Sequence, residues 1–241
     1  PRILLSRTHP DFLRRLLPDT QVWISDPSWE NHRAIFENAG FAVNTYPYYD
    51  APTQGVNFAA MIECLRGLPK GSIIVLHACC HNPTGVDLTP DQWARVIETV
   101  NEHDLVPLLD IAYQGLGDGL DADAAAVRLF AQAGGSAFVA NSFSKTFSLY
   151  GERVGGLSVV AGSTDQAARA LSQIKRLVRT NYSNPPTHGG QIVASVLNSP
   201  DARAQWEQEL AHMRERIREV RQRLVEQLRS KAPKHDFSFV I

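Results

Sequence analysis

Short runs of apolar, β-branched residues alternate with longer segments of helical periodicity, and this alternation restricts the available folds more than any other feature of the chain. "QVWISD" (21–26) precedes the helix-like "ENHRAIFENAG", and "FAVNTYPYYD" precedes "NFAAMIECLRGL". "SIIVLHACC" (72–80) precedes "LTPDQWARVIETVNEH", where Thr89, Pro90 and Gln92 predict an N-cap, a first-turn proline and a capping-box glutamine. "LVPLLDIAY" (105–113) leads to an alanine-rich helix near 121–134, and "SAFVANSFS" (136–144) leads to a segment built around Lys145. "VGGLSVVAG" (154–162) is again followed by helix. A strand alternates its side chains between two faces, so a strand that is apolar throughout must be covered on both. The expected fold class is therefore α/β, a mainly parallel sheet sandwiched by helices.

From Ser199 the pattern changes. Trp206, Leu210, Met213, Ile217, Val220, Leu224 and Leu228 recur at spacings of four and three along one long helix. That spacing fits a coiled-coil seam or, more commonly, an amphipathic helix packed on its own domain. We read three parts: 1–10 standing apart, 11–198 as the α/β domain, and 199–241 as a long linking helix that begins a second, truncated domain. The first residue is Pro1 and the closing "DFSFVI" reads as a strand without a partner, so the sequence is expected to be a fragment.

Composition narrows the partners. The 241 residues carry 24 Lys+Arg against 25 Asp+Glu, a formal net charge of -1. Such balance gives no pull toward nucleic acid or an anionic membrane. No apolar run approaches the roughly 20 residues of a bilayer span, and no charged-then-apolar leader opens the chain. Three cysteines make no disulfide framework and suit a reducing cytoplasm.

Ligands of parallel sheets bind beyond the carboxyl ends of the strands, and polar residues gather at such ends here. Asn82 follows one strand in "HACCHNPTG", Asp110 and Tyr113 close another in "LLDIAYQG", and Ser142, Ser144 and Lys145 close a third in "NSFSK". Alone, each has an ordinary reading: the acid as a cap, the phenol as a core-edge residue, the lysine as solvated. An acid, a phenol, an amide and an amine at neighbouring strand ends form a constellation. His77, Cys79, Cys80 and His81 are metal-ligand types, but strand neighbours point to opposite faces, so inert buried thiols and no metal are expected.

In order, "SDPSWENH", "HACCHNPTG", "DIAYQG", "SFSKTFSLYGERVGG" and "NYSNPP" resemble the class I aminotransferases that use pyridoxal phosphate, in the aspartate and aromatic (tyrosine) branch. The resemblance runs from about Asp11 to Ile241, and "NSFSKTFSLYGERVGGLSVV" and "LDIAYQGLGDG" are most similar to the bacterial aromatic enzymes. It implies the large domain of fold-type I enzymes. It also implies that Lys145 holds the cofactor through its ε-amine and shuttles a proton, its pKa lowered by burial and cationic neighbours. Asp110 would pair with the pyridine nitrogen, with His32 orienting its carboxylate, and the charged ring would serve as an electron sink. Asn82 and Tyr113 would donate to the ring's phenolic oxygen, Trp29 would stack on the ring, and His77 would lie under it. Arg153, with Ser142 and Ser144, would bind the phosphate. Arg179, preferred to the other arginine of "RLVR", would meet the distal carboxylate of a substrate in the neighbouring subunit's site, where Trp29 and Asn82 also face substrate.

The implied activity is transamination of tyrosine, phenylalanine or aspartate with a 2-oxo acid such as 2-oxoglutarate, by a cytoplasmic homodimer. "PRILLSRTH" (1–9) departs from the family's glycine- and threonine-containing turn before "DFLRRLLP", whose amides hold phosphate. An upstream tyrosine and a C-terminal arginine of the family have no counterpart in the sequence. An inactive remnant and an aspartate-specific enzyme stay open as alternatives. Decarboxylation, racemisation or β-elimination would use the same lysine and aspartate, but Arg179 and the "HNPTG" and "NYSNPP" contexts favour transamination.

Overall fold

A computed structural model describes residues 10–241; of the stretch 1–10 expected to stand apart, residues 1–9 lie outside the described residues. Helix α1 covers 10–16. Strand β1 (Gln21–Asp26) leads through helix α2 (Glu30–Asn38) to β2 (Ala42–Pro47). A two-rung antiparallel hairpin follows, β3 (Tyr49–Asp50) with β4 (Gly55–Val56), and then helix α3 (Phe58–Arg66). Next come β5 (Ile73–His77), α4 (Pro90–Glu102), β6 (Val106–Ile111), α5 (Leu120–Asp123) and α6 (Ala125–Gln132). Strand β7 (Ala137–Ser142), the single-turn α7 (Phe143–Thr146) and β8 (Gly155–Val160) lead into α8 (Thr164–Asn181), α9 (His188–Asn198) and α10 (Pro200–Lys231).

Six strands form one sheet in the order β2-β1-β5-β6-β7-β8, parallel except for the β7–β8 pair. The mainly parallel, helix-covered sheet expected from the sequence is what forms. Strand β5 shows why its sequence is apolar throughout. Ile74 and Leu76 enter the core packed by α3, α4 and α6, while Ile73 and Val75 enter the opposite core with Phe12, Leu13, Phe36 and Leu177. Each such residue, fully buried, contributes about 1.5–3 kcal/mol. Edge strand β2 tolerates Pro47 because it has an unpaired side.

The chain places β2 on one side of β1 and then returns to lay β5 on the other. That reversal opens a crevice beyond the carboxyl ends of β1 and β5, the usual place for a ligand in an open α/β sheet.

The expected capping box on α4 is present: Thr89 Oγ1 accepts from Gln92 N at 3.3 Å, and Thr89 N donates to Gln92 Oε1 at 2.9 Å. The long helix starts where expected, with Ser199 Oγ accepting from Ala202 N. Its apolar stripe divides into two parts. Leu210 is buried, and Trp206 stacks on Phe147 at 4.4 Å, but Met213, Ile217, Val220 and Leu224 are exposed. The amphipathic-packing reading therefore holds around Trp206 and Leu210, while further along α10 it is Val225, outside the stripe, that is buried. "DFSFVI" is not the expected strand. Ser238–Val240 forms a 3-10 turn, in which Asp236 accepts from both the backbone N and the Oγ of Ser238. Among the described residues, no helix is long and apolar enough to cross a membrane.

Candidate active site

The crevice is built from the ends of four parallel strands, β1, β5, β6 and β7. After β1 the chain turns through Pro27 and Ser28, and Trp29 takes the N-cap position of α2. About one turn's spacing along the chain then brings His32 Nδ1 to 2.9 Å from Ser28 Oγ, an i,i+4 pair. His32 is buried, and its Nε2 lies 3.0 Å from Asp110 Oδ2 on β6. Asp110 pairs in register with His77, the last residue of β5. His77 Nε2 lies 3.5 Å from Ser28 Oγ, and its ring meets that of His32 edge-on at 5.0 Å.

An ionised carboxylate accepts only, so His32 Nε2 donates to Asp110 Oδ2. Ser28 Oγ stands between the two rings and bridges His32 Nδ1 to His77 Nε2. Burial, followed by the field of His32, lowers the His77 pKa to about 4, against an opposing pull from Asp110. His77 is therefore neutral near pH 7.

Trp29, His77, Cys79, Asn82, Asp110, Ala112, Tyr113 and Lys145 line one recess. Six of the positions singled out in the sequence thus converge. Lys145 sits in α7, and its Nζ lies 4.0 Å from the centroid of the Tyr113 ring, a cation–π distance. Ser142 caps α7 and accepts from Ser144 N at 3.4 Å. Ser144 is buried with no hydrogen-bond partner for its Oγ among the described residues. Arg153 and Arg179 do not line the recess. Arg153 has φ +54° and donates from Nη1 to Tyr150 O at 2.8 Å. Arg179 is exposed near the end of α8, with Nη1 donating to Ser183 Oγ.

These residues suit a pyridine aldehyde carrying a phosphate. An amine and a carboxylate line the same cavity as an indole, an amide and a phenol, and the Ser144 hydroxyl beside the lysine is buried without a partner among the described residues.

Several contributors escaped the sequence reading. Ser28 carries the bridge between two histidines, and its only sequence signal was the four-residue offset to His32. His81, considered there only as a metal ligand, supports the floor of the site. Its ring stacks on Tyr48 at 3.9 Å, with Ser25 Oγ 2.9 Å from Nε2 and Thr84 Oγ1 2.8 Å from Nδ1. Burial, with the nearby His77, lowers its pKa to about 3. The Asp87 carboxylate accepts from Cys80 N at 2.6 Å and His81 N at 2.8 Å, which holds the loop after β5, while burial raises its pKa.

Strand alternation does not govern the two cysteines, because β5 ends at His77 and Cys80 takes φ +50°. Cys79 and Cys80 come together with Asp123 rather than with the histidines. A hydrogen bond with Cys80 and burial push the Cys79 thiol pKa far up.

An amine, an acid and hydrogen-bonding side chains thus surround one recess at the strand ends of an α/β sheet. The family model for aminotransferase class I and II matches residues 7–241, so the chain belongs to that family. The match starts inside the 1–10 stretch. More particularly, the chain is 65% identical over 230 residues to an aspartate aminotransferase of Pseudomonas aeruginosa, covering 95% of this chain and 58% of that one. It is 54% identical over 231 residues to the aromatic-amino-acid aminotransferase of Escherichia coli K12, covering 96% and 58% respectively. Among solved structures, an aromatic-amino-acid aminotransferase from Burkholderia pseudomallei covalently bound to pyridoxal phosphate superposes with TM-score 0.96 at 62% identity, covering 98% of this chain and 59% of that one. The chain thus spans less than two thirds of the length of these relatives.

Proposed function

We propose that this chain carries the cofactor-binding domain of a pyridoxal-phosphate-dependent aminotransferase, which moves an amino group between an aromatic or dicarboxylic amino acid and a 2-oxo acid. The observation that carries the reading is the recess itself, lined by Lys145, Asp110, Asn82, Tyr113, Trp29 and His77. Residues 11–198 form the cofactor domain in this reading, and 199–241 the linking helix and the start of a smaller one. The family's shared site makes the functional unit a homodimer, with Arg179 serving the neighbouring subunit, in the reducing cytoplasm that three free cysteines suit.

When bound, the cofactor supplies an aldehyde for the amino group and a ring that withdraws the electron pair left as the substrate Cα loses its proton. Lys145 would hold the cofactor through Nζ, and its amine would carry the proton at the substrate Cα. Asp110 would hold a proton on the ring nitrogen, and the His77–Ser28–His32 chain keeps its carboxylate aimed. Asn82 and Tyr113 would donate to the ring oxygen, and Trp29 would cover the ring and shield it from water. Arg153, Ser142 and Ser144, whose hydroxyl is without a partner among the described residues, would hold the phosphate.

Titration with pyridoxal phosphate tests this. A cofactor absorption band that shifts on binding should appear, and Lys145→Ala should abolish it. A folded chain that gives the same band with and without Lys145 overturns the assignment. A second reading, aspartate specificity, is favoured by the 65% identity to an enzyme named for aspartate. Rates for tyrosine, phenylalanine and aspartate with 2-oxoglutarate separate the two.

A further inference from the structure

We propose that Cys79, Cys80 and Asp123 form a binding site for one thiophilic divalent cation, of the zinc and cadmium class, in the wall of the recess. The two sulfurs and a carboxylate oxygen lie within 4.8 Å of one another, a separation that small adjustments convert to ligation by one ion. Two soft sulfurs with one oxygen select such ions over magnesium or calcium.

Three local features bring the ligands together. Cys80 leaves the extended conformation at φ +50°, which frees its sulfur from the alternation that would turn it away from Cys79. Asp123 is buried and held by the loop that follows Tyr113. Its Oδ2 accepts from Gly115 N at 2.6 Å and Gly117 N at 3.0 Å, and its Oδ1 accepts from Asp118 N at 2.8 Å. A carboxylate offers about four acceptor positions, so Oδ1 retains one. Gly117 has the side-chain space that this convergence needs, since a Cβ there would come within 2.7 Å of Asp123 Oδ1 and 3.1 Å of Cys80 Sγ.

Three protein ligands leave a fourth tetrahedral position open, as in sites that bind exchangeably rather than as structural staples. Each thiol that ligates gives up its proton to solvent, so binding the ion releases protons and involves no redox step. Cys80 is half-buried and provides access, while Cys79 belongs to the recess lining, so the ion would touch the wall that also holds Asp110 and Lys145.

Cadmium chloride titrated into the 241-residue chain as purified, without added thiols or cofactor, provides the test. A single equivalent should saturate a sulfur-to-cadmium charge-transfer absorption. Cys79→Ser and Cys80→Ser should each remove it, and Cys64→Ser should not. Asp123→Asn should weaken the affinity by roughly tenfold or more. Absence of the band in the folded chain, its survival in the Cys79→Ser/Cys80→Ser double variant, or unchanged affinity in Asp123→Asn would overturn the proposal. Should the asparagine variant fail to fold, the near-isosteric serine variants decide. Because no cofactor is present, none of these outcomes bears on the reading of Lys145.

Discussion

His77 stays neutral when folded, and that has a consequence for acid stability. Its folded pKa is about 4, whereas an unfolded histidine titrates near 6.5. Between those values the unfolded chain binds more protons, so stability is full above about 6.5 and falls as pH is lowered toward 4. The shift corresponds to roughly 3 kcal/mol. Urea midpoints should therefore drop between pH 7 and pH 5, and His77→Asn should flatten the slope. Lys145, Asp110, Asn82 and Tyr113 were legible as site residues because each sits at a strand end in a recognisable order. Ser28 and Asp123 were not. Ser28 matters through two rings that meet only when β1, α2 and β5 are assembled, and Asp123 through backbone amides five to eight residues earlier.

Helix α4 was readable down to its cap, because Thr89, Pro90 and Gln92 act locally. Thr89→Ala removes one member of a reciprocal pair and should lower stability by about 1 kcal/mol, read from a denaturant midpoint. The junction between α10 and the loop after β6 was not readable. Arg214 and Arg218 donate to the carbonyls of Gly115 and Gly117 at 2.9 Å each, across about a hundred residues of chain. Gly115 has φ +93°, and a Cβ there would collide with Leu210 Cδ2. Gly115→Ala should cost roughly 2–4 kcal/mol, from overpacking and from its backbone conformation. Adding Leu210→Ala should relieve the packing share, visible as non-additivity in a double-mutant cycle. The β3–β4 hairpin escaped notice because two-residue strands carry no period. "DFSFVI" misled because alternation alone does not supply a neighbouring strand.

For the molecule as a whole, the two-faced sheet was legible because its strands are apolar on both sides, and the sheet order was not, since apolar patterning does not encode which strands are neighbours. The same distinction applies to α10, whose stripe is continuous in sequence but buried only near Leu210. Replacing Ile217 and Val220 by glutamine should change stability by less than about 0.5 kcal/mol per site, whereas Leu210→Ala should cost about 2–5 kcal/mol. Equal losses at both ends of the stripe would contradict the packing described above. The reversed direction of β8 has its own consequence. Ser142 and Gly155 are the last rung of the β7–β8 ladder, and Phe143 N donates to Val154 O just beyond it at 3.2 Å. The segment from 143 to 154 is therefore a handle with both feet fastened to the same edge, and Trp206 grips it from above by donating Nε1 to Thr146 O at 2.8 Å. A crossover to a parallel strand would have left the lysine and the arginine at opposite ends of a long tether; the hairpin makes them move as one piece.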